Sequence, residues 1–92
     1  MITAFVHIAC KPEKLEELAE DISQIEGVTE VYSITGDYDL LAIVRVAAIE
    51  ELPDIVTNNM LKKDGIVKAN TSVGFKVYSR HHLEAMFSIG LD

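Results

Sequence analysis

The chain opens with a period-2 alternation. Ile2, Ala4, Val6, Ile8 and Cys10 point one way, and Thr3, Phe5, His7 and Ala9 point the other. That pattern predicts a strand from Ile2 to Cys10. Neither face is frankly polar, so both faces should become covered. Lys11-Pro12 ends the strand, and Pro12 suits the first turn of a helix. Leu15, Leu18, Ala19, Ile22 and Ile25 then recur at i, i+3, i+4 and i+7, within an arc of about 120°. Glu13, Glu16, Glu17 and Glu20 occupy the opposite arc, which makes this a half-buried helix with an acidic, solvated outer face. Glu13 also complements the positive end of the helix dipole, and Gly27 stops the helix.

Two apolar, β-branched runs follow, Val28 to Ile34 and Asp39 to Val46, joined by a short turn. On the third strand Leu40, Ala42, Val44 and Val46 share one side, and Leu41, Ile43 and Arg45 the other. Arg45 suits either pairing with an acid at an interface or snorkelling from the surface. The spacing of Ile49, Leu52, Val56 and Met60 predicts a second helix over Ile49 to Lys63. Pro53 belongs in its first turn, and Lys62, Lys63 and Asp64-Gly65 mark its end. Ile66 to Tyr78 alternates again. Val67, Ala69, Thr71, Val73, Phe75 and Val77 lie opposite Lys68, Asn70, Ser72, Gly74, Lys76 and Tyr78. Gly74 in mid-strand marks a bulge or a close backbone approach. The tail, residues 79–92, carries Leu83, Met86, Phe87, Ile89 and Leu91. It reads as a short helix whose apolar face docks on its own subunit or a neighbour's.

An internal repeat orders these elements. Glu26-Gly27-Val28 after the first helix matches Asp64-Gly65-Ile66 after the second, an offset of 65 − 27 = 38. The chain is two β-α-β halves. With right-handed crossovers they give an α+β, ferredoxin-like βαββαβ fold, a four-stranded antiparallel sheet with both helices on one face. The other face needs a partner, because two helices cannot cover both.

Composition narrows the function. The net charge is −7, from 8 basic and 15 acidic residues, and no basic stripe is present. Direct binding of nucleic acid or of an anionic membrane is therefore not expected. One cysteine, Cys10, excludes an internal disulfide and a multi-cysteine metal site; it reads as a small buried residue. No signal peptide or apolar run of spanning length is evident, so a cytoplasmic location is expected. His7, alone on a semi-apolar face, reads as packed, with general base or pH switch as the functional alternative. His81 and His82 read as surface residues.

The concentrated chemistry lies in the hairpin turn. Thr35, Gly36, Asp37, Tyr38 and Asp39 bring two carboxylates, a phenol and a hydroxyl within five residues. Gly36 adopts positive φ without steric cost, and Asp37 can bond its own backbone. A glycine turn leaves outward N–H groups as a small anion nest. Asp37 or Asp39 could take an ammonium group through a charge-assisted hydrogen bond, or both could simply stabilise the turn.

The run Val31-Tyr32-Ser33-Ile34-Thr35-Gly36-Asp37-Tyr38-Asp39-Leu40-Leu41, followed by Asp64-Gly65-Ile66-Val67 and Asn70-Thr71-Ser72-Val73, resembles the ligand-binding (RAM) domain of Lrp/AsnC transcription regulators. The resemblance spans residues 1–78, leaving 79–92 as an added helical tail. Asp64 stands where the family commonly has Pro, and the family's N-terminal helix-turn-helix has no counterpart here. The resemblance implies facing-sheet dimers, often assembled into octamers. It implies an amino-acid effector bound between dimers, at the hairpin loop and the last strand. Thr35, Gly36, Asp37, Tyr38, Asp39, Asn70, Thr71 and Ser72 are the expected ligand-binding residues. Ser72 and Asn70 are preferred over Thr71, which falls on the core side. The implied role is a sensing and oligomerisation module of transcription regulation, without catalysis, cofactor or metal. It would act through full-length Lrp/AsnC regulators. The alternatives are a dimeric α/β-barrel enzyme, monooxygenase- or isomerase-like with a His7-lined cavity, and a purely structural assembly domain.

Overall fold

A computed structural model describes residues 1–80. Along them run β1 (Ile2–Cys10), α1 (Leu15–Ser23), β2 (Val28–Ser33), β3 (Leu40–Val46), α2 (Leu52–Ile55) and β4 (Ile66–Val73). The strands form one antiparallel sheet in the order β2-β3-β1-β4. This is the ferredoxin-like arrangement that the repeat implies. The expected C-terminal helix, with His81 and His82, lies outside the described residues.

The register sorts the side chains between two faces. Ala4, Val6 and Ile8 of β1 stand opposite Val44, Ala42 and Leu40 of β3, and all six are fully buried. Leu18 and Ile22 of α1, then Leu52, Val56 and Met60, close over them to make the core. On the reverse face Thr3, Phe5 and His7 stand opposite Arg45, Ile43 and Leu41. Nothing among the described elements covers this side. Phe5 is 36% exposed, whereas Ile43, at 6%, is buried but lies outside the core cluster. The two-sided apolar pattern of the strands is thus satisfied on one side only.

Three details differ from the sequence expectation. The second helix is not continuous: α2 is one turn, flanked by 3-10 turns at Ile49–Glu51 and Met60–Lys62. Beyond Pro53, the β-branched run Ile55-Val56-Thr57 and the pair Asn58-Asn59 have weak helix propensity. The backbone answers with wide bonds, Asn58 N–H to Pro53 O and Leu61 N–H to Val56 O, at 2.9 and 2.8 Å. Leu52, Val56 and Met60 still point inward, whereas Ile49 is exposed. Secondly, β4 ends at Val73 and not at Tyr78. Thirdly, Ala69, Thr71 and Val73 face the helix side, opposite Ile8, Val6 and Ala4, yet are exposed. The shortened α2 leaves this edge of the sheet uncovered.

The internal repeat reappears as a pair of reciprocal bonds. Gly27 and Gly65 both take positive φ, 98° and 99°. Gly65 O accepts from Lys11 N–H, and Gly27 O accepts from Arg45 N–H, each at 2.9 Å. Each half-repeat thereby anchors a strand of the other half. A Cβ at Gly65 would lie 2.8 Å from Cβ and Cγ of Lys14, whereas one at Gly36 would meet nothing within 4 Å. Gly65→Ala should cost about 1–3 kcal/mol of stability, and Gly36→Ala, which carries only the φ penalty, about 1 kcal/mol. Denaturant midpoints of the two variants check the order. Burial pushes the Cys10 thiol pKa up, and the nearby carboxylates of Asp39 and Glu13 add to it. A thiol reagent at pH 7 should therefore label Cys10 no faster than the chain opens, which a labelling time course in increasing urea will read.

Candidate ligand-binding site

The hairpin loop has a tied base and a free tip. Asp39 makes three bonds at the base. Its N–H donates to Ile8 O at 2.8 Å, and its carbonyl accepts from Ile34 N–H at 2.9 Å. Its carboxylate Oδ2 accepts from Cys10 N–H at 2.9 Å. That last bond falls where the β1–β4 register shifts, between Ala9 and Cys10, so Asp39 supplies an acceptor at an irregularity of the ladder. Of the two loop carboxylates, Asp39 is thus engaged in holding the loop to β1. Thr35, Gly36 and Asp37 form the exposed tip. Gly36 has φ 110°, and the space beside its Cα is open. A small ligand could approach the backbone there closely, and the Asp37 carboxylate is exposed beside it.

Tyr38 turns back from the tip over the sheet's open face. It is half-buried. Its ring lies 5.5 Å from that of His7, tilted by 58°. The Lys68 ammonium stands 5.1 Å from the Tyr38 ring centroid, within cation–π range. Nδ1 of His7 is buried and has no hydrogen-bond partner among the described residues. The register places Asn70 opposite His7 and Ser72 opposite Phe5, both on this face. Thr71 stands opposite Val6, on the other face, apart from the rest of the set. Topology therefore gathers Tyr38, His7, Lys68 and Asn70 at one corner, beneath the loop tip.

His7 and Lys68 were not among the residues expected to bind ligand. Lys68 follows from the strand order alone: β4 lies beside β1 and places Lys68 opposite Ala9, next to the corner where β1 meets the loop. Arg45 finds partners on β2. Its Nη1 donates to Thr29 Oγ1 at 2.8 Å and lies 3.7 Å from Glu30 Oε1. Tyr32 donates its phenol proton to the other oxygen of Glu30, and this bond pushes the Tyr32 pKa up. The open face thus carries a charged corner at Arg45-Glu30, distinct from the Tyr38-Lys68 corner.

Comparison with known proteins agrees with this architecture. The family model described as the Lrp/AsnC ligand binding domain matches residues 3–83. The chain is 40% identical over 58 residues to the HTH-type transcriptional regulator LrpA of Pyrococcus horikoshii, a match covering 63% of this chain and 41% of that protein. It spans about half the length, or less, of the curated relatives it matches. The crystal structure of TTHA0845 from Thermus thermophilus superposes with a TM-score of 0.82 at 44% identity, covering 87% of this chain and all of that one. The transcriptional regulator NMB0573 of Neisseria meningitidis, solved as a complex with L-Met, shares the fold with a TM-score of 0.76 at 18% identity, over 86% of this chain and 53% of that one. The sheet order, the hairpin and a family match along nearly the whole described chain lead to one conclusion: this chain belongs to the Lrp/AsnC ligand-binding domain family of transcriptional regulators.

Proposed function

We propose that this chain senses a free amino acid at the Gly36 loop and converts binding into a change of assembly. The carrying observation is the pairing of opposite charges around a loop whose tip is free and whose base is fixed. The exposed Asp37 carboxylate suits an α-ammonium group. The Lys68 ammonium and the open N–H groups around Gly36 suit an α-carboxylate. Thr35, Tyr38, Asn70 and Ser72 supply the remaining polar wall. Thr71 faces away from it, and Asp39 acts by holding the loop. The L-Met complex of the fold neighbour NMB0573 supports the ligand class.

The open sheet face is the second support. Phe5 at its centre is apolar and 36% exposed, and a second copy pairing face to face would cover it. Dimers of this kind, assembled further towards an octamer, would bring the Gly36 loops to the rims of subunits. Regulation would then pass to transcription through mixed assembly with full-length Lrp/AsnC regulators in the cytoplasm, with no catalysis and no direct nucleic-acid contact by this domain. A dimeric barrel-type enzyme is disfavoured, because the family consists of regulators.

Two measurements test this reading. Calorimetry against the common amino acids should find at least one that binds. Asp37→Ala should weaken it tenfold or more, about 1.4 kcal/mol, with little change in stability. Asp39→Ala should instead lose about 1–3 kcal/mol of stability, since it leaves the Cys10 N–H unpaired. Binding by none of the amino acids would overturn the sensing role. Sedimentation should show a dimer or larger species that Phe5→Glu dissociates; a monomeric wild-type chain would overturn the face-to-face pairing.

A further inference from the structure

The alternation of the last strand outruns its ladder. Val73 stands opposite Ala4, and Gly74 N–H still donates to Thr3 O at 2.8 Å. The backbone then bends at Phe75 and makes no further ladder. Phe75 is fully exposed, and Val77 and Tyr78 are largely so. Such a run of large side chains in water is costly for an isolated subunit. Between this arm and the open sheet face lies a cleft of about 450 Å³, lined by Thr3, Phe5, Arg45, Phe75, Lys76 and Tyr78 among others.

Two observations point to the occupant. The arm is one wall of the cleft and the sheet face the other, so a two-fold axis at this corner would seat each arm between the other copy's arm and sheet face, as a self-complementary interface requires. The cleft itself carries Arg45 and no acid, and the complementary charge lies just beyond it. From Gly65 to Leu83 the sequence carries Lys68, Lys76 and Arg80 and no acid, within a chain of net charge −7. The far rim of the cleft continues from Arg45 to the Glu30 carboxylate, 3.7 Å away. We propose that Phe75–Tyr78 is an exchanged arm: in the dimer it lies in the second copy's cleft, with Phe75 against Phe5 and Lys76 directed to Glu30. This inference rests on the face-to-face pairing above and adds to it a covalently continuous strap between the two subunits.

The test uses the full chain. Phe75→Ser with Val77→Ser alters only exposed side chains, so the circular dichroism spectrum should be unchanged while the dimer dissociation constant rises at least tenfold. An unchanged constant, with Phe5→Glu still dissociating the dimer, would overturn the exchange and leave the face pairing intact. A wild-type monomer would overturn both. A second experiment mixes a Thr3→Cys chain with a Phe75→Cys chain, both in a Cys10→Ala background, under mild oxidation. Peptide mapping should find position 3 of one chain joined to position 75 of the other. Absence of that link would overturn the exchange. So would a Thr3→Cys/Phe75→Cys double variant that links only within its own chain, which is the result expected if the arm folds back on its own subunit.

Discussion

The constraint behind this structure is a shortage of cover. A four-stranded sheet with apolar residues on both faces needs two covering layers, and the described residues supply about one. Helix α1 and the broken second helix seal Ala4, Val6, Ile8, Leu40, Ala42 and Val44 completely. The reverse face keeps Phe5 and Ile43 at its centre, and no helix among the described residues lies above them. A domain of 92 residues has little surplus stability to spend on exposed apolar surface. The face-to-face association proposed above would answer the same shortage of cover that limits folding.

Much of this was legible in the pattern of the chain. Alternation located β1, β3 and β4, the last drawn on to Tyr78 where the strand ends at Val73, an apolar β-branched run located β2, and helical spacing located α1. The matched Glu26-Gly27 and Asp64-Gly65 turns revealed the two halves, which the structure joins through reciprocal glycine carbonyl bonds. The second helix was not legible, because Leu52, Val56 and Met60 point inward from a continuous helix and from a broken one alike. Spacing reports which side chains go in, whereas Pro53, the β-branched run after it and Asn58-Asn59 decide whether the backbone between them stays regular.

The candidate site, whose ligand role is a proposal, was legible in part as a cluster of polar groups. The loop residues were evident from composition and turn chemistry. Asp37 and Asp39 looked equivalent, and only the tertiary structure separates them: the partner that engages Asp39, Cys10 N–H, lies 29 residues away in the chain. Lys68 was overlooked for a similar reason. Its place beside Tyr38 depends on β4 lying next to β1, and nothing in the β4 sequence says which strand is its neighbour.

The tie between Asp39 and β1 has a consequence for recognition. A loop anchored at its base by three hydrogen bonds has already lost most of the freedom that a ligand would otherwise have to freeze. What remains to be ordered is the tip at Thr35 to Asp37, and ordering so short a segment costs little entropy. A ligand as small as a single amino acid offers few atoms with which to offset such losses. For a ligand held at this tip as proposed, the rigid base would lower the cost of ordering the loop, so Asp39 would add to affinity without touching the ligand.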